Sequence, residues 1–358
     1  DYIYLTGSTN STDSIGTSET IQDSLAGSID GFVAKFNRLG ELIWDTYIGG
    51  ADEDIVTDCF VFKKEKVHIA GETRSESLIA NLGLTPSNLH GGGSDLFSLT
   101  LSPEGDLLNG NYFGGSGDEY LAAMDADTLG NIAFCANTSG SADLSFNGPY
   151  QSQPSGGSDG FFFLTDSAYT ITWASYFGTE NDDYLTDIAI SDDGVFVYLS
   201  GYTSGSIDLS DTTSAQETPG GAIDGFLAKF NQFDNDWFTY LGGTENDYIS
   251  TIDLDADSAL FVIGTSFSEA GVVEIETDSI GGELDTLNNS YSGGGDLIIA
   301  KYGIEGLKTW SNYYGGTGLD SARSADMFGV TALFIASSTN SSSQVTEAPG
   351  EYSVVHQS

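Results

Sequence analysis

Tyr47-Ile48-Gly49-Gly50 returns as Tyr112-Phe113-Gly114-Gly115, Tyr176-Phe177-Gly178-Thr179, Tyr240-Leu241-Gly242-Gly243 and Tyr313-Tyr314-Gly315-Gly316, at intervals of 65, 64, 64 and 73 residues. Seven residues after each leading tyrosine stands an acid: Asp54, Glu119, Asp183, Asp247 and Asp320. Upstream, a second acid opens an apolar run at Asp30-Gly31-Phe32, Asp95-Leu96-Phe97, Asp159-Gly160-Phe161, Asp224-Gly225-Phe226 and Asp296-Leu297-Ile298. Three markers keeping one phase over five copies define an internal repeat. A period of this length, built from short apolar runs, points to a solenoid, a propeller or an array.

One copy shows what the unit contains. Asp54 to Phe62 is β-branched and aromatic and reads as a first strand, and Lys66 to Gly71 alternates as a second. Residues 72–94 are rich in Gly, Ser and Asn and read as loop. Asp95 to Leu101 and Leu107 to Phe113 make a third and a fourth strand. Turn chemistry separates them, as in Asp127-Thr128-Leu129-Gly130 and Pro103-Glu104-Gly105. No segment sustains a helical apolar period. The expected fold is all-β, a β-propeller of four-stranded antiparallel blades, five or six in number, at about 65 residues per repeat. The units run over about 1–53, 54–118, 119–182, 183–246, 247–319 and 320–340, and 341–358 forms a tail or the start of a further blade. Six second-type strands stand against five of each other type, since Tyr2 to Gly7 is an extra one. Either the last strands complete the first blade, or incomplete blades belong to a longer protein; the start in mid-repeat favours a fragment.

The markers resemble the SBBP repeats of bacterial β-propellers. That pattern appears here as Asp30-Gly31-Phe32-Val33-Ala34-Lys35, Gly40, Trp44, Tyr47, Gly49-Gly50, Asp54 and Gly71-Glu72-Thr73, and the resemblance runs from Asp1 to about Thr339. The second unit departs from it, with Leu108 read in the tryptophan place and Ala136-Asn137-Thr138 for Gly-x-Thr; the fifth has Ser337-Ser338-Thr339. The resemblance implies a secreted or surface-displayed propeller and implies no chemistry.

Charge narrows the partners. The 358 residues carry 53 acids and 10 bases, a formal net charge of -43, which repels nucleic acid and anionic lipid. No apolar stretch is long enough to span a membrane, and a signal peptide would have been removed or lie outside this sequence. The acids make either a solubilising surface or a cation-binding one. Cys59 falls in the slot of Met124, Ile188 and Ile252, and Cys135 in that of Ala70 and Ser200, so both read as interior thiols rather than a disulfide.

Functional expectations follow from strand direction. The long connections between second and third strands, 8–29, 74–94, 139–158, 204–223 and 266–295, share one end of the blades with the Gly-Gly-acid connections. Binding is expected there, with the longest excursion, Gly271 to Gly295, as the foremost candidate; the competing reading is that these loops only cover neighbouring strands. Asp54, Glu119, Asp183, Asp247 and Asp320 are candidate metal ligands for Ca²⁺, which takes several oxygens, or else caps of their own turns. The acids opening the third strands read as caps. Trp44, Trp173 and Trp310 share one slot and read as packing between blades, with Trp237 offset by one. Asp13-Ser14-Ile15, Asp23-Ser24-Leu25, Asp278-Ser279-Ile280 and Asp285-Thr286-Leu287 resemble a bacterial O-glycosylation motif.

Catalysis is not expected. The three histidines, His68, His90 and His356, form no metal motif, and no Gly-x-Ser-x-Gly elbow occurs. Carboxylate pairs recur in every unit, whereas an active site would break the repeat. The sequence therefore reads as a secreted or cell-surface bacterial binding or adhesion module. Its partner would be a protein or glycan at the cell surface, and the chain would form part of a larger chain or assembly. A purely structural subunit is the first alternative and a carbohydrate-active enzyme the second.

Overall fold

The computed structural model describes residues 2–13, 15–17, 20–62, 66–77, 91–140, 144–206, 214–231, 234–255, 258–272, 290–328 and 332–341. Contacts divide the chain into two compact units, Asp1–Gly178 and Thr179–Ser358. The first unit has three antiparallel sheets: β1 (Tyr2–Thr9), β2 (Asp30–Asn37) and β3 (Leu42–Ile48); β4 (Asp54–Phe62), β5 (Lys66–Thr73), β6 (Asp95–Leu101) and β7 (Leu107–Phe113); β8 (Glu119–Ala126), β9 (Ile132–Thr138), β10 (Asp159–Thr165) and β11 (Ile171–Phe177). The second unit also has three: β12 (Asp183–Ile190), β13 (Phe196–Thr203), β14 (Asp224–Asn231) and β15 (Asp234–Leu241); β16 (Asp247–Leu254), β17 (Leu260–Ser266), β18 (Asp296–Tyr302) and β19 (Lys308–Tyr314); β20 (Asp320–Phe328) with β21 (Ala332–Thr339). Strands pair in chain order within every sheet, so each is a meander, and the described residues contain no helix.

The repeat acids mark strand starts: Asp54, Glu119, Asp183, Asp247 and Asp320 open first strands, and Asp30, Asp95, Asp159, Asp224 and Asp296 open third strands. The second strand of the unit that starts at Asp54 runs on to Thr73, two residues past the expected Gly71. Each first strand also carries a bulge three residues after its acid, as between Val56 and Asp58, Leu121 and Ala123, and Leu185 and Asp187. A bulge adds local twist and turns a backbone N–H out of the ladder. Asp58 uses this to cross sheets, its Oδ2 accepting from Met124 N at 2.9 Å, and Asp187 repeats the contact with Ile252 N at 2.9 Å.

The core lies between neighbouring sheets. Phe97, Leu99 and Leu101 of β6 pack with Val33, Trp44 and Val56, while Leu96 on the other face packs with Leu121, Met124 and Phe134. A strand flanked on both faces is buried along its whole length, as β6 is at all seven positions. Each such Phe or Leu contributes about 1.5–3 kcal/mol. Cys59 and Cys135 form no disulfide, and Cys59 is only partly buried.

Register corrects two sequence assignments. Trp44, Trp173, Trp237 and Trp310 lie opposite Lys35, Leu164, Lys229 and Lys301, so Trp237 is in phase with the others and the offset is a shorter preceding turn. In the second sheet the residue opposite Thr100 is Asn109, not Leu108, so Asn109 occupies the tryptophan place.

Candidate functional site

The sequence-predicted acids are buried and hydrogen-bonded into their own connections. Asp54 Oδ2 accepts from Gly50 N at 2.6 Å and Ser75 Oγ at 2.8 Å, while Thr73 Oγ1 donates to Oδ1. Asp247 repeats this with Gly243 N at 2.6 Å, Ser268 Oγ at 2.7 Å and Ser266 Oγ. Glu119 accepts from Gly115 N and Thr138 Oγ1, both at 2.9 Å; Asp183 from Thr179 N; Asp320 from Gly316 N at 2.7 Å. The acids of the third strands cap likewise: Asp30 Oδ2 accepts from Ala26 N at 2.7 Å, and Asp224 Oδ2 from Gly220 and Gly221 N at 3.0 and 2.9 Å. Donors converging on a carboxylate hold a turn and stabilise the anion. No group of three or more His, Cys, Asp or Glu among the described residues is gathered as metal ligands.

Neighbouring acids also meet in pairs. Asp54 N donates to Ile29 O at 2.9 Å and Glu119 N to Ser94 O at 2.8 Å, which sets the start of a first strand beside that of the preceding third strand. Burial first, and then Asp95 beside it, push Glu119 up to about 7 against the lowering donations of Gly115 and Thr138. Burial raises Asp54, Asp224 and Asp296 as well, with Asp30, Asp247 and Asp320 adding repulsion. The pairing explains the first glycine of Tyr-x-Gly-Gly. A Cβ on Gly49 would lie 2.2 Å from the Asp30 carboxyl carbon, and one on Gly315 2.4 Å from Asp296 Oδ1.

The long connections are pinned by a residue the sequence reading did not single out. Gln22, Gln151 and Gln216 each stand eight residues before a third-strand acid. Their Oε1 atoms accept from Gly49, Gly178 and Gly242 N at 3.0, 3.0 and 3.3 Å. Their carbonyls accept from Tyr47, Tyr176 and Tyr240 N, each at 3.1 Å, so the loop lies along the outer edge of the fourth strand. An uncovered edge would template association, and this cover removes it. Side chains still project from the covered loop of the third sheet, with Phe146 53% and Tyr150 45% exposed. Most of the Gly271 to Gly295 excursion, the triplets at Asp278 and Asp285, Ser14, His90 and His356 lie outside the described residues.

At the opposite, tight-turn end the second sheet departs from the first, and the third departs from both, with Ala133 and Leu164 where the first has Tyr4 and Lys35. In the first sheet Tyr4 pairs with Lys35 and Lys35 with Trp44. Lys35 Nζ and Trp44 Nε1 both donate to Pro103 O of the next sheet, at 2.7 and 3.0 Å, and Gly105 of that turn lies on the indole. Lys229 and Trp237 form the same latch on Ile304 O, at 3.1 and 2.9 Å. The second sheet has His68, Thr100 and Asn109 at these positions. Here Thr100 bonds the third-sheet turn through Tyr169 instead of a lysine reaching its carbonyl, and a cleft of about 140 Å³ lies beside Ser167.

Tyr169 enters this cleft from the third sheet. Thr100 Oγ1 donates to Tyr169 Oη at 2.8 Å and lies 3.2 Å from His68 Nδ1. With its one proton given to Tyr169, Thr100 accepts from Nδ1–H, which leaves the lone pair on Nε2. The imidazole stacks on Phe60 at 4.8 Å and meets Phe62 edge-on at 6.2 Å. Burial first and the Lys66 charge second push His68 down to about 4, so it is neutral near pH 7. Three signals in the sequence mark the site: a histidine where other copies have Tyr4, Ala133, Tyr198 and Phe261, no lysine at Thr100 and no tryptophan at Asn109.

No protein-family model matches the chain, and no curated protein matches it. Among solved structures the chain is similar to Kuenenia stuttgartiensis hydrazine synthase, at 10% identity over 88% of this chain and 71% of that one, with a TM-score of 0.42. It is similar to a protein of unknown function from Dyadobacter fermentans at 11% identity, covering 83% and 85%, TM-score 0.39. A subtype N10 neuraminidase-like protein of A/little yellow-shouldered bat/Guatemala/060/2010 follows at 10% identity, covering 82% of each chain, TM-score 0.32. Similarity at this level transfers neither an activity nor a ligand to this chain.

Proposed function

We propose that the chain is a secreted or cell-surface bacterial β-propeller of SBBP type that binds a surface glycan or protein through its long connections, without catalysis. The observation that carries the reading is the pinning of these connections. Gln22, Gln151 and Gln216 fix loop backbone to the fourth strands, while Phe146 and Tyr150 stay exposed on the third-sheet loop. A rigid loop with exposed aromatic side chains loses little entropy on binding and offers flat faces for stacking. Meanders in one strand order, with cores between successive sheets, support the propeller architecture. The test is binding of the purified chain to arrays of bacterial surface polysaccharides and purified surface proteins, repeated with Phe146→Ser and Tyr150→Ser. The expected result is saturable binding that both substitutions weaken at least tenfold.

A structural subunit is the second reading. It is favoured by the complete use of the recurrent Gln side chains and of most recurrent acids in holding the chain's own turns. Absence of binding on those arrays supports it and overturns the first.

A further inference from the structure

We infer that the cleft between the second and third sheets is a binding site for a single planar ring bearing a carboxylate, with Lys66 beside the anion and the Phe60 and Phe62 rings against the ligand's ring. This site lies at the end of the strands opposite the long connections and is independent of the function proposed for them.

Size, lining and charge carry the inference. The cleft holds about 140 Å³. An apolar protein cavity of about 150 Å³ accommodates one benzene molecule, so a six-membered ring fits and a larger fused system does not. Leu129 and Ile132 complete the apolar wall, and Gly130 keeps the turn from closing over it. A Cβ on Gly130 would come within 3.1 Å of Phe62, and its φ of +96° keeps the position glycine-like. In a chain of net charge -43, the described residues of the lining include a lysine and no carboxylate. Elsewhere the equivalent cations are occupied: Lys35 sits 3.9 Å over the Tyr2 ring and Lys229 4.0 Å over Phe196 while bonding the neighbouring turn. Lys66 instead holds the position of Tyr2 and Phe196, so the cation has moved from the latch to the cleft wall.

Polar groups add selectivity. Among the described residues Nε2 of His68 has no hydrogen-bond partner, and its lone pair suits a ligand hydroxyl. A ring with carboxylate and hydroxyl on opposite sides uses Lys66 and His68 together, whereas a saturated ring loses the flat contact with Phe60 and Phe62.

The test is calorimetric titration of the full chain with 4-hydroxybenzoate, benzoate, cyclohexanecarboxylate and phenol. Imidazole proton shifts of His68, assigned by comparison with His68→Phe, report the site. The expected outcome is one-to-one binding in the order 4-hydroxybenzoate, benzoate, then the saturated acid and phenol, with the His68 resonance moving on saturation. Lys66→Met should weaken benzoate at least tenfold and leave phenol unchanged. Thr100→Lys installs the residue type of Lys35, Lys229 and Lys301, and it should block every ligand while the melting temperature holds or rises. Absence of benzoate binding at millimolar concentration overturns the inference, and so does binding that leaves His68 unmoved or survives Thr100→Lys. Phenol binding as tightly as benzoate overturns the assignment of the carboxylate to Lys66. Should Thr100→Lys fold poorly, Lys66→Met at the rim still decides between these outcomes.

Discussion

The two sheet-to-sheet seams of the first unit use the same repeat positions and differ in kind. Between the first and second sheets Lys35 and Trp44 close on the Pro103 carbonyl, with the Tyr2 ring against the ammonium and Tyr4 against the indole. Between the second and third sheets Lys66, His68, Thr100 and Asn109 replace them, and a cleft stays open beside Ser167. The comparison shows how a repeated scaffold acquires a singular place: a latch is left out, and the space it filled is lined by what remains. Stability and site formation thus compete for the same positions, as expected where local rules are broken.

The largest effect should come from breaking the closed seam. Trp44 is 6% exposed and gives both its ring and its N–H to the next sheet. Trp44→Ala should cost about 3–5 kcal/mol in urea unfolding, whereas Asn109→Ala at the open seam should cost under about 1 kcal/mol. Equal losses would remove the distinction.

Next in size is the buried acid pair. Glu119 is held near 7 in the folded protein against an ordinary value of 4.5, so the folded chain binds the proton more tightly than the unfolded chain does. The stabilisation this gives is complete below about pH 4.5 and is lost as pH rises through 7. Glu119→Gln should flatten that slope and stabilise the protein by about 1–2 kcal/mol at pH 8, read from unfolding curves across the range. A persistent slope would place the titration elsewhere.

His68 titrates in the opposite sense. Its value falls from 6.5 to about 4 on folding, so the unfolded chain takes the proton between them and stability is lost as pH drops through that window. His68→Phe, which installs the residue type of Phe261, should remove this acid sensitivity and hold stability at pH 7 to within about 1 kcal/mol. Calcium should do least. The first-strand carboxylates already accept from turn N–H and hydroxyl groups, so millimolar Ca²⁺ against EDTA should leave the melting temperature unchanged. A rise with calcium would restore these acids as ligands.

Legibility followed range. Strand positions were readable because period-2 patterns and turn residues are local and the copies reinforce one another: Asp54–Phe62, Asp95–Leu101 and Leu107–Phe113 fall where the spacing puts them. The Gln22, Gln151 and Gln216 clamp was present in the spacing but surrounded by loop residues of changing length, so its phase shows only once Tyr47, Tyr176 and Tyr240 are seen to pair with it. The bulge at each first strand left no mark, because one unpaired residue does not alter composition. Trp237 appeared displaced because position was counted from the preceding acid, across a turn one residue shorter.

What the chain determined by itself is the meander: strand order, the acids that open the strands and the glycines beside them follow from local spacing repeated five times. Only the tertiary structure decided what each repeated position does. Whether Lys35 ends on a carbonyl or Thr100 leaves a space depends on a turn some 68 residues further along, and contact between sheets is set by packing across that distance rather than by neighbours in sequence.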